Sequence, residues 1–133
     1  MVRVIDASVA LKWFLLEEGR DRALVLLEEL LTDPAGFAVP ELFYFELAHV
    51  FNRAVPDPSP VQSELLQQVM VLGIQRFAMT PALLNEVRGL QRLGLSGYDA
   101  AYVGLAKLLE GQWVTFDRRA HDRIAHLSLS QAL

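Results

Sequence analysis

The 133-residue chain contains no cysteine. That excludes disulfides, thiolate metal sites and cysteine nucleophiles, and it fits a reducing cytoplasm. No apolar run approaches the length of a membrane span. The stretch from Val9 to Leu16 is too short for a signal peptide, holds Lys12 and follows Asp6. An excess of positive charge is missing as well: the net charge is −4, so nothing global draws nucleic acid to the surface. A local basic strip beside a cleft could still bind phosphates, because the nearby field matters more than the sum. Repeats, low-complexity segments, a G-x-G-x-x-G turn, a Walker loop and a G-x-S-x-G elbow are all absent from the sequence.

What is present is apolar. Hydrophobic residues make up 53% of the chain and charged residues 21%, within the globular range. The length predicts one domain, residues 1–133, with one core. The surplus of Leu and Val suggests deeply buried elements and an apolar patch left for a partner.

Residues 2–6 read as a buried strand ended by Asp6. A short helix over Val9–Leu16 follows, then a break at Gly19 and a helix over Arg20–Leu31. After the turn cluster 32–36, Phe37–Val39 is predicted as a strand, and Pro40 opens a helix that runs to Ala54. The segment 55–60, with three prolines, reads as a rigid connection. Beyond it come a helix over 61–72, a strand over 76–79, a helix from Thr80-Pro81 to Gly94, and a helix capped by Ser96 that stops at Gly111. A strand over 112–116, a helix over 118–125 and an edge strand at Leu127-Ser128-Leu129 complete the chain. Alternating strands and helices predict an α/β fold with a parallel sheet covered on both faces. Ligands in such sheets bind beyond the carboxyl ends of the strands, the edge where Asp6 and Asp117 fall.

Four acids stand out: Asp6, Glu46, Asp99 and Asp117. At about 5 Å and an effective dielectric near 20, each ionised pair of carboxylates costs roughly 3 kcal/mol. Gathering them therefore calls for protons or a hard divalent cation such as Mg²⁺. Each also has a plainer explanation. Asp6 and Asp117 sit between a strand and a helix, where Asp is a favoured N-cap, and Ser96-Gly97-Tyr98-Asp99 matches a capping box. Glu46 is harder to explain away: with His49 and Arg53 it forms a narrow polar stripe on a helix otherwise apolar almost all round, though a salt-bridged surface line would look the same. Arg118, Arg119 and Arg123 either contact phosphates or form a solvated helix face. Glu46-Leu47-Ala48-His49 has Glu-x-x-His spacing, but di-iron bundles need that motif twice. His121 and His126 are off helical register and read as surface groups.

Assembled in order, Val4-Ile5-Asp6-Ala7-Ser8-Val9, Pro40-Glu41-Leu42 with Glu46-Leu47-Ala48, Leu95-Ser96-Gly97-Tyr98-Asp99-Ala100 and Thr115-Phe116-Asp117-Arg118-Arg119 resemble the PIN domain, specifically the VapC-type toxin ribonucleases. The resemblance covers essentially the whole chain. It implies a three-layer α/β/α sandwich with a central parallel sheet of about five strands. It also implies an acidic pocket binding Mg²⁺ or Mn²⁺, and endoribonuclease activity on single-stranded parts of RNAs such as tRNA. The further implication is a cytoplasmic, membrane-free homodimer silenced by a cognate antitoxin that inserts into the active-site groove. Carried over by position, Asp6 and Asp99 are the chief metal ligands, Glu46 completes the pocket, and Asp117 holds a metal or water at its far side. Ser8 and Thr115 match positions whose hydroxyls support the acids. His49 departs from the pattern, since relatives often carry Asn there.

On this reading, metal-dependent hydrolysis of an RNA phosphodiester leaves a 5′-phosphate and a 3′-hydroxyl, and Asn at position 6 or 99 is expected to abolish cleavage while retaining the fold. Two alternatives compete. A phosphate-accepting domain, either a receiver or a haloacid-dehalogenase-like phosphatase, would use Asp6 as nucleophile. The phosphatase needs an acid where Ser8 stands, and the receiver needs a second acid near the first strand end. A non-catalytic PIN-like interaction module would use the acids only as caps.

Overall fold

The computed structural model describes residues 1–55 and 59–133. Residues 56–58, half of the proline-rich connection, lie outside the described residues. Among the described residues five strands and seven α-helices follow in the order β1 (Arg3–Ile5), α1 (Ala7–Leu11), α2 (Arg20–Thr32), β2 (Phe37–Pro40), α3 (Leu42–Ala54), α4 (Ser59–Met70), β3 (Gln75–Phe77), α5 (Pro81–Gln91), α6 (Gly97–Leu108), β4 (Gln112–Thr115), α7 (Arg118–Ile124) and β5 (Ser130–Ala132). Every strand pairing is parallel, in the order β3-β2-β1-β4-β5. The fold is the α/β/α sandwich expected. None of the described helices is long and apolar enough to cross a membrane.

The strand order fixes where a site can form. From β1 the chain steps outward to β2 and β3, then returns across the sheet to β4 on the other side of β1. The connections at the carboxyl ends of β1 and β4 therefore diverge and leave a crevice at this switch point. Asp6 follows β1 and Asp117 lies two residues beyond β4.

The central strands are apolar because both their faces are covered. Val4, Ile5, Ala38, Val39, Trp113 and Val114 are all buried. Helix α6 lies over β1, β2 and β4 and packs against α5. The close approach of α5 and α6 depends on Gly104: a Cβ there would stand 3.2 Å from the Glu86 Cβ and 3.3 Å from the Leu83 Cδ1. Helices α1 and α3 pack on each other. Phe14 tilts over Phe51 at 5.3 Å between ring centroids, joining the segment after α1 to α3.

Of the boundaries that differ from the sequence-based expectation, three have a clear physical cause. Pro40 closes β2 instead of opening α3. The β1 ladder on β2 ends at Ala38, so the missing N–H of Pro40 costs no bond on that side. Helix α1 begins at Ala7, capped by Asp6, and has ended by Lys12. The chain is then drawn aside by the buried Trp13 indole, which donates to the Ala23 carbonyl at 2.9 Å. The final strand is Ser130–Ala132, three residues later than predicted. Residues 125–127 form a 3₁₀ turn and Ser128 is left-handed at φ 56°. The turn thus occupies the Leu-Ser alternation that suggested a strand, and the pairing with β4 begins only at Ser130.

Candidate active site

Asp6 is almost wholly buried, 7% exposed, at the end of β1. Its Oδ1 accepts from the Ser8 backbone N–H at 3.0 Å and from the Ser8 hydroxyl at 2.5 Å. Its Oδ2 accepts from the Trp113 indole N–H at 3.0 Å and from the Thr115 hydroxyl at 2.6 Å. Burial raises the Asp6 pKa, while the Ser8 and Thr115 hydrogen bonds pull it back. These donors match the roughly four lone-pair positions of a carboxylate. Taking an ion directly therefore requires the Ser8 or Thr115 hydroxyl to turn away, and both can rotate.

The two hydroxyls also bind β1 to the segment after β4. Ser8 Oγ accepts from the Phe116 N–H at 3.2 Å, and Thr115 Oγ1 accepts from the Asp117 N–H at 3.0 Å. Thr115 thus links the two acids: it donates to Asp6 and receives from the Asp117 backbone. Asp117 is exposed and caps α7, with Oδ1 accepting from Ala120 N–H at 3.0 Å. Behind this segment Gly19 lies against Phe116. With φ 89° and only 2.6 Å from a would-be Cβ to the ring, position 19 has no room for a side chain.

Helices α6 and α3 supply the other two acids. Ser96 caps α6 and its hydroxyl accepts from the Asp99 N–H at 3.0 Å. The Asp99 carboxylate is half-buried. Burial raises its pKa first, followed by the charges of Asp117 and Asp6. Glu46 is half-buried on α3, and its pKa is pushed up to about 7 by burial and by the charges of Asp6 and Asp99, with the nearby Tyr102 hydroxyl acting the other way. All four acids thus share one electrostatic neighbourhood, with Asp6 and Asp99 at its centre.

An open cleft of about 400 Å³ lies between α6 and α7, lined by Ser96, Asp99 and Asp117 together with Arg119 and Arg123. Arg123 donates to the Gly94 carbonyl, which anchors it at the rim. The Glu-x-x-His pair, Glu46 and His49, lines a groove on the opposite side of Asp99. His121 lies away from the acids, 2.7 Å from Ser130 Oγ, and ties α7 to β5; His126 is exposed.

Two observations bear on whether the acids suit a cation. Among the described residues, no three Asp, Glu or His side chains converge as a ready-made cage. Yet Glu46 Oε1 is buried beside the Tyr102 hydroxyl without a well-formed hydrogen bond, and burial, followed by the neighbouring charges, raises the pKa values of Glu46 and Asp99. Spaced carboxylates of this kind fit a small hard ion that keeps part of its water shell and is held by one or two carboxylates.

The family model described as the PIN domain matches residues 3–127. The chain belongs to the PIN domain family. PIN domains are generally nucleases and typically use a divalent metal. This PIN domain is similar in fold to a toxin-antitoxin complex from Klebsiella pneumoniae. There the TM-score is 0.70 and the identity 15%, over 98% of this chain and 96% of that one. It is also similar to PAE2754 from Pyrobaculum aerophilum, with a TM-score of 0.70 and 19% identity over 92% of this chain and 79% of that one. A comparison with curated proteins found no match.

Two residues beside these acids were not identified from the sequence. Trp113 precedes Thr115 by two on β4, so both side chains leave the same face of the strand and reach Asp6. Tyr102 stacks on Trp113 at 6.4 Å and 16°, and its buried hydroxyl has no hydrogen-bond partner. In the sequence both read simply as core aromatics.

Proposed function

We propose that this PIN domain is a divalent-cation-dependent endoribonuclease, the VapC-like toxin of a toxin–antitoxin pair. The observation that supports the reading is electrostatic: Glu46 feels the charges of Asp6 and Asp99, and Asp99 those of Asp117 and Asp6, although the four acids come from separate segments. Half-buried carboxylates such as Glu46 and Asp99, with pKa values raised by burial and then by neighbouring acids, gather at functional sites.

Asp6 and Asp99 would hold Mg²⁺ or Mn²⁺, with Glu46 completing the pocket and Asp117 at its far side. Such an ion supplies positive charge to a scissile phosphate and lowers the pKa of a water. The protein's own part is to orient and neutralise. Ser8, Thr115 and Trp113 fix the Asp6 carboxylate. Glu46, with a pKa near neutrality, is suited to take a proton from the attacking water. Arg119 and Arg123 would hold neighbouring phosphates of the RNA across the cleft. The similarity in fold to a toxin-antitoxin complex supports an antitoxin as protein partner; we place the protein in the cytoplasm as a homodimer.

The deciding measurement is cleavage of single-stranded RNA by the purified chain with Mg²⁺ or Mn²⁺, beside Asp99→Asn and Glu46→Gln. Cleavage is expected to stop in EDTA and in both variants, with 5′-phosphate ends. Cleavage that persists in EDTA would show the reading to be wrong.

A further inference from the structure

Each of the two acids on helices is preceded in the chain by a ring left in solvent. Phe45 precedes Glu46 on α3 and is 72% exposed; Tyr98 precedes Asp99 on α6 and is 67% exposed. Consecutive helical residues lie about 100° apart around the axis, so the acid can face the site while the ring opens beside it. Both rings line one groove of about 520 Å³, together with Leu42, Val50 and His49. Glu46, Asp99 and Ser96 lie on its inner wall, and Ser96 and Asp99 also line the arginine-bearing cleft. Among the described residues, neither ring packs against another aromatic.

We propose that Phe45 and Tyr98 form a nucleobase-stacking subsite that seats a base adjoining the scissile phosphate of a single-stranded RNA. The inference rests on the nuclease reading above. A nucleotide whose phosphate reaches Asp99 must place its sugar and base within a few ångströms of that carboxylate, and the groove is the apolar wall available there. Both flanks of Asp99 then have a matching part of the substrate: planar rings for bases on the α3 side, guanidinium groups for phosphates on the α7 side. Stacking of this kind tolerates any base sequence, but it needs a base freed from a duplex. The groove therefore selects strandedness, while His49 at its rim is placed to touch a base edge.

The experiment is a stopped-flow titration in Mg²⁺ with a short single-stranded RNA carrying 2-aminopurine at successive positions, reading the quench that precedes cutting. Wild type and Phe45→Trp are expected to quench the probe at one position. Phe45→Ala and Tyr98→Ala should each bind about tenfold or more weakly, with unchanged melting temperatures because both rings are exposed. An RNA made abasic at that position should no longer distinguish the variants from wild type. Equal binding by both alanine variants overturns the proposal, as does absence of quenching at every position. It is also overturned if the alanine variants lose only a protein partner, which would assign the groove to protein. Cation-dependent cutting by the wild type is read separately, and its survival would show that only the subsite assignment had failed.

Discussion

The indole N–H of Trp113 donates to Asp6 Oδ2 at 3.0 Å across 107 residues of chain. Trp113 itself is fully buried and stacked on Tyr102, so the carboxylate is aimed by a ring that cannot move. Trp113→Phe keeps most of the ring and removes the donor. Hydrogen bonds to a buried charge contribute about 1.5–3 kcal/mol. The variant should lose that much stability in urea unfolding and should also bind Mg²⁺ more weakly by calorimetry. Loss of stability with unchanged cation affinity would show that the indole supports the fold but does not aim Asp6.

Asp6→Asn is the obvious way to disable the site, and the structure gives it a cost the sequence does not. One side of the Asp6 carboxylate faces the Ser8 backbone N–H and the other faces the Trp113 N–H, neither of which can accept. An Asn amide NH₂ therefore meets a donor whichever way it is turned. The variant should be destabilised by about 1–3 kcal/mol, visible as a lower urea midpoint. Asp99→Asn, which replaces a carboxylate with no such pair of donors, should fold as the wild type does. Equal midpoints for the two variants would contradict the hydrogen-bond assignment.

How far the site was legible depended on what each residue type announces. Asp6 and Asp117 end apolar strands, and Asp99 follows a capping serine, so their positions on elements could be read directly. The alternating strand and helix pattern predicted a parallel sheet and put Asp6 and Asp117 at its carboxyl edge, whereas the strand order that sets β1 beside β4 was not legible. Trp113 and Tyr102 were not legible. An aromatic in a buried strand or helix gives the same pattern whether its polar atom is aimed at a carboxylate or left idle, and only the β1–β4 register, Ile5 beside Val114, brings Asp6 within reach of the indole. Pro40 misled because its fixed φ suits the last residue of a strand as well as the first turn of a helix. The closing strand was misplaced because the left-handed turn at Ser128 has no glycine to mark it.

Gly111 sets the spacing of the central strands at the edge opposite the acids. A Cβ there would lie 2.1 Å from the Val2 carbonyl oxygen, a backbone atom that cannot swing aside. Gln112 N–H bonds that same carbonyl at 3.0 Å. Gly111→Ala must therefore push β1 from β4 at their starts and should cost ~1–3 kcal/mol. Thermal unfolding should show the loss, whereas Gly89→Ala, with nothing within 4 Å of the new methyl, should not.

The raised carboxyl pKa values fix how stability varies with pH. Glu46 moves from 4.5 when unfolded to about 7 in the fold, and Asp6 and Asp99 also shift upward. Below 4.5 both states of Glu46 are protonated. Between 4.5 and about 7 the folded protein retains a proton that the unfolded chain has released, so stability falls as pH rises through this window and then levels off. In EDTA the melting temperature should be higher at pH 5 than at pH 8. Adding Mg²⁺ should raise it more at pH 8, because the ligands must be deprotonated and only the folded state binds. A melting temperature in EDTA that climbs from pH 5 to pH 8 would contradict the shifts.

The same electrostatics predict that removing a charge should strengthen the fold while ending activity. The Glu46 pKa is raised by burial first and then by the Asp6 and Asp99 charges. Glu46→Gln keeps the side-chain shape and the surrounding core of Phe43 and Leu47, and it deletes one member of a mutually repelling group. Without a cation at pH 8 the variant should melt above the wild type, and at pH 5, where Glu46 is already neutral in the fold, the difference should shrink. Its Mg²⁺ affinity should fall and RNA cleavage should stop. Functional sites commonly hold such destabilising arrangements, and the sign of the Glu46→Gln effect separates that case from a carboxylate serving only as a surface charge, whose removal would leave the melting temperature unchanged at both pH values.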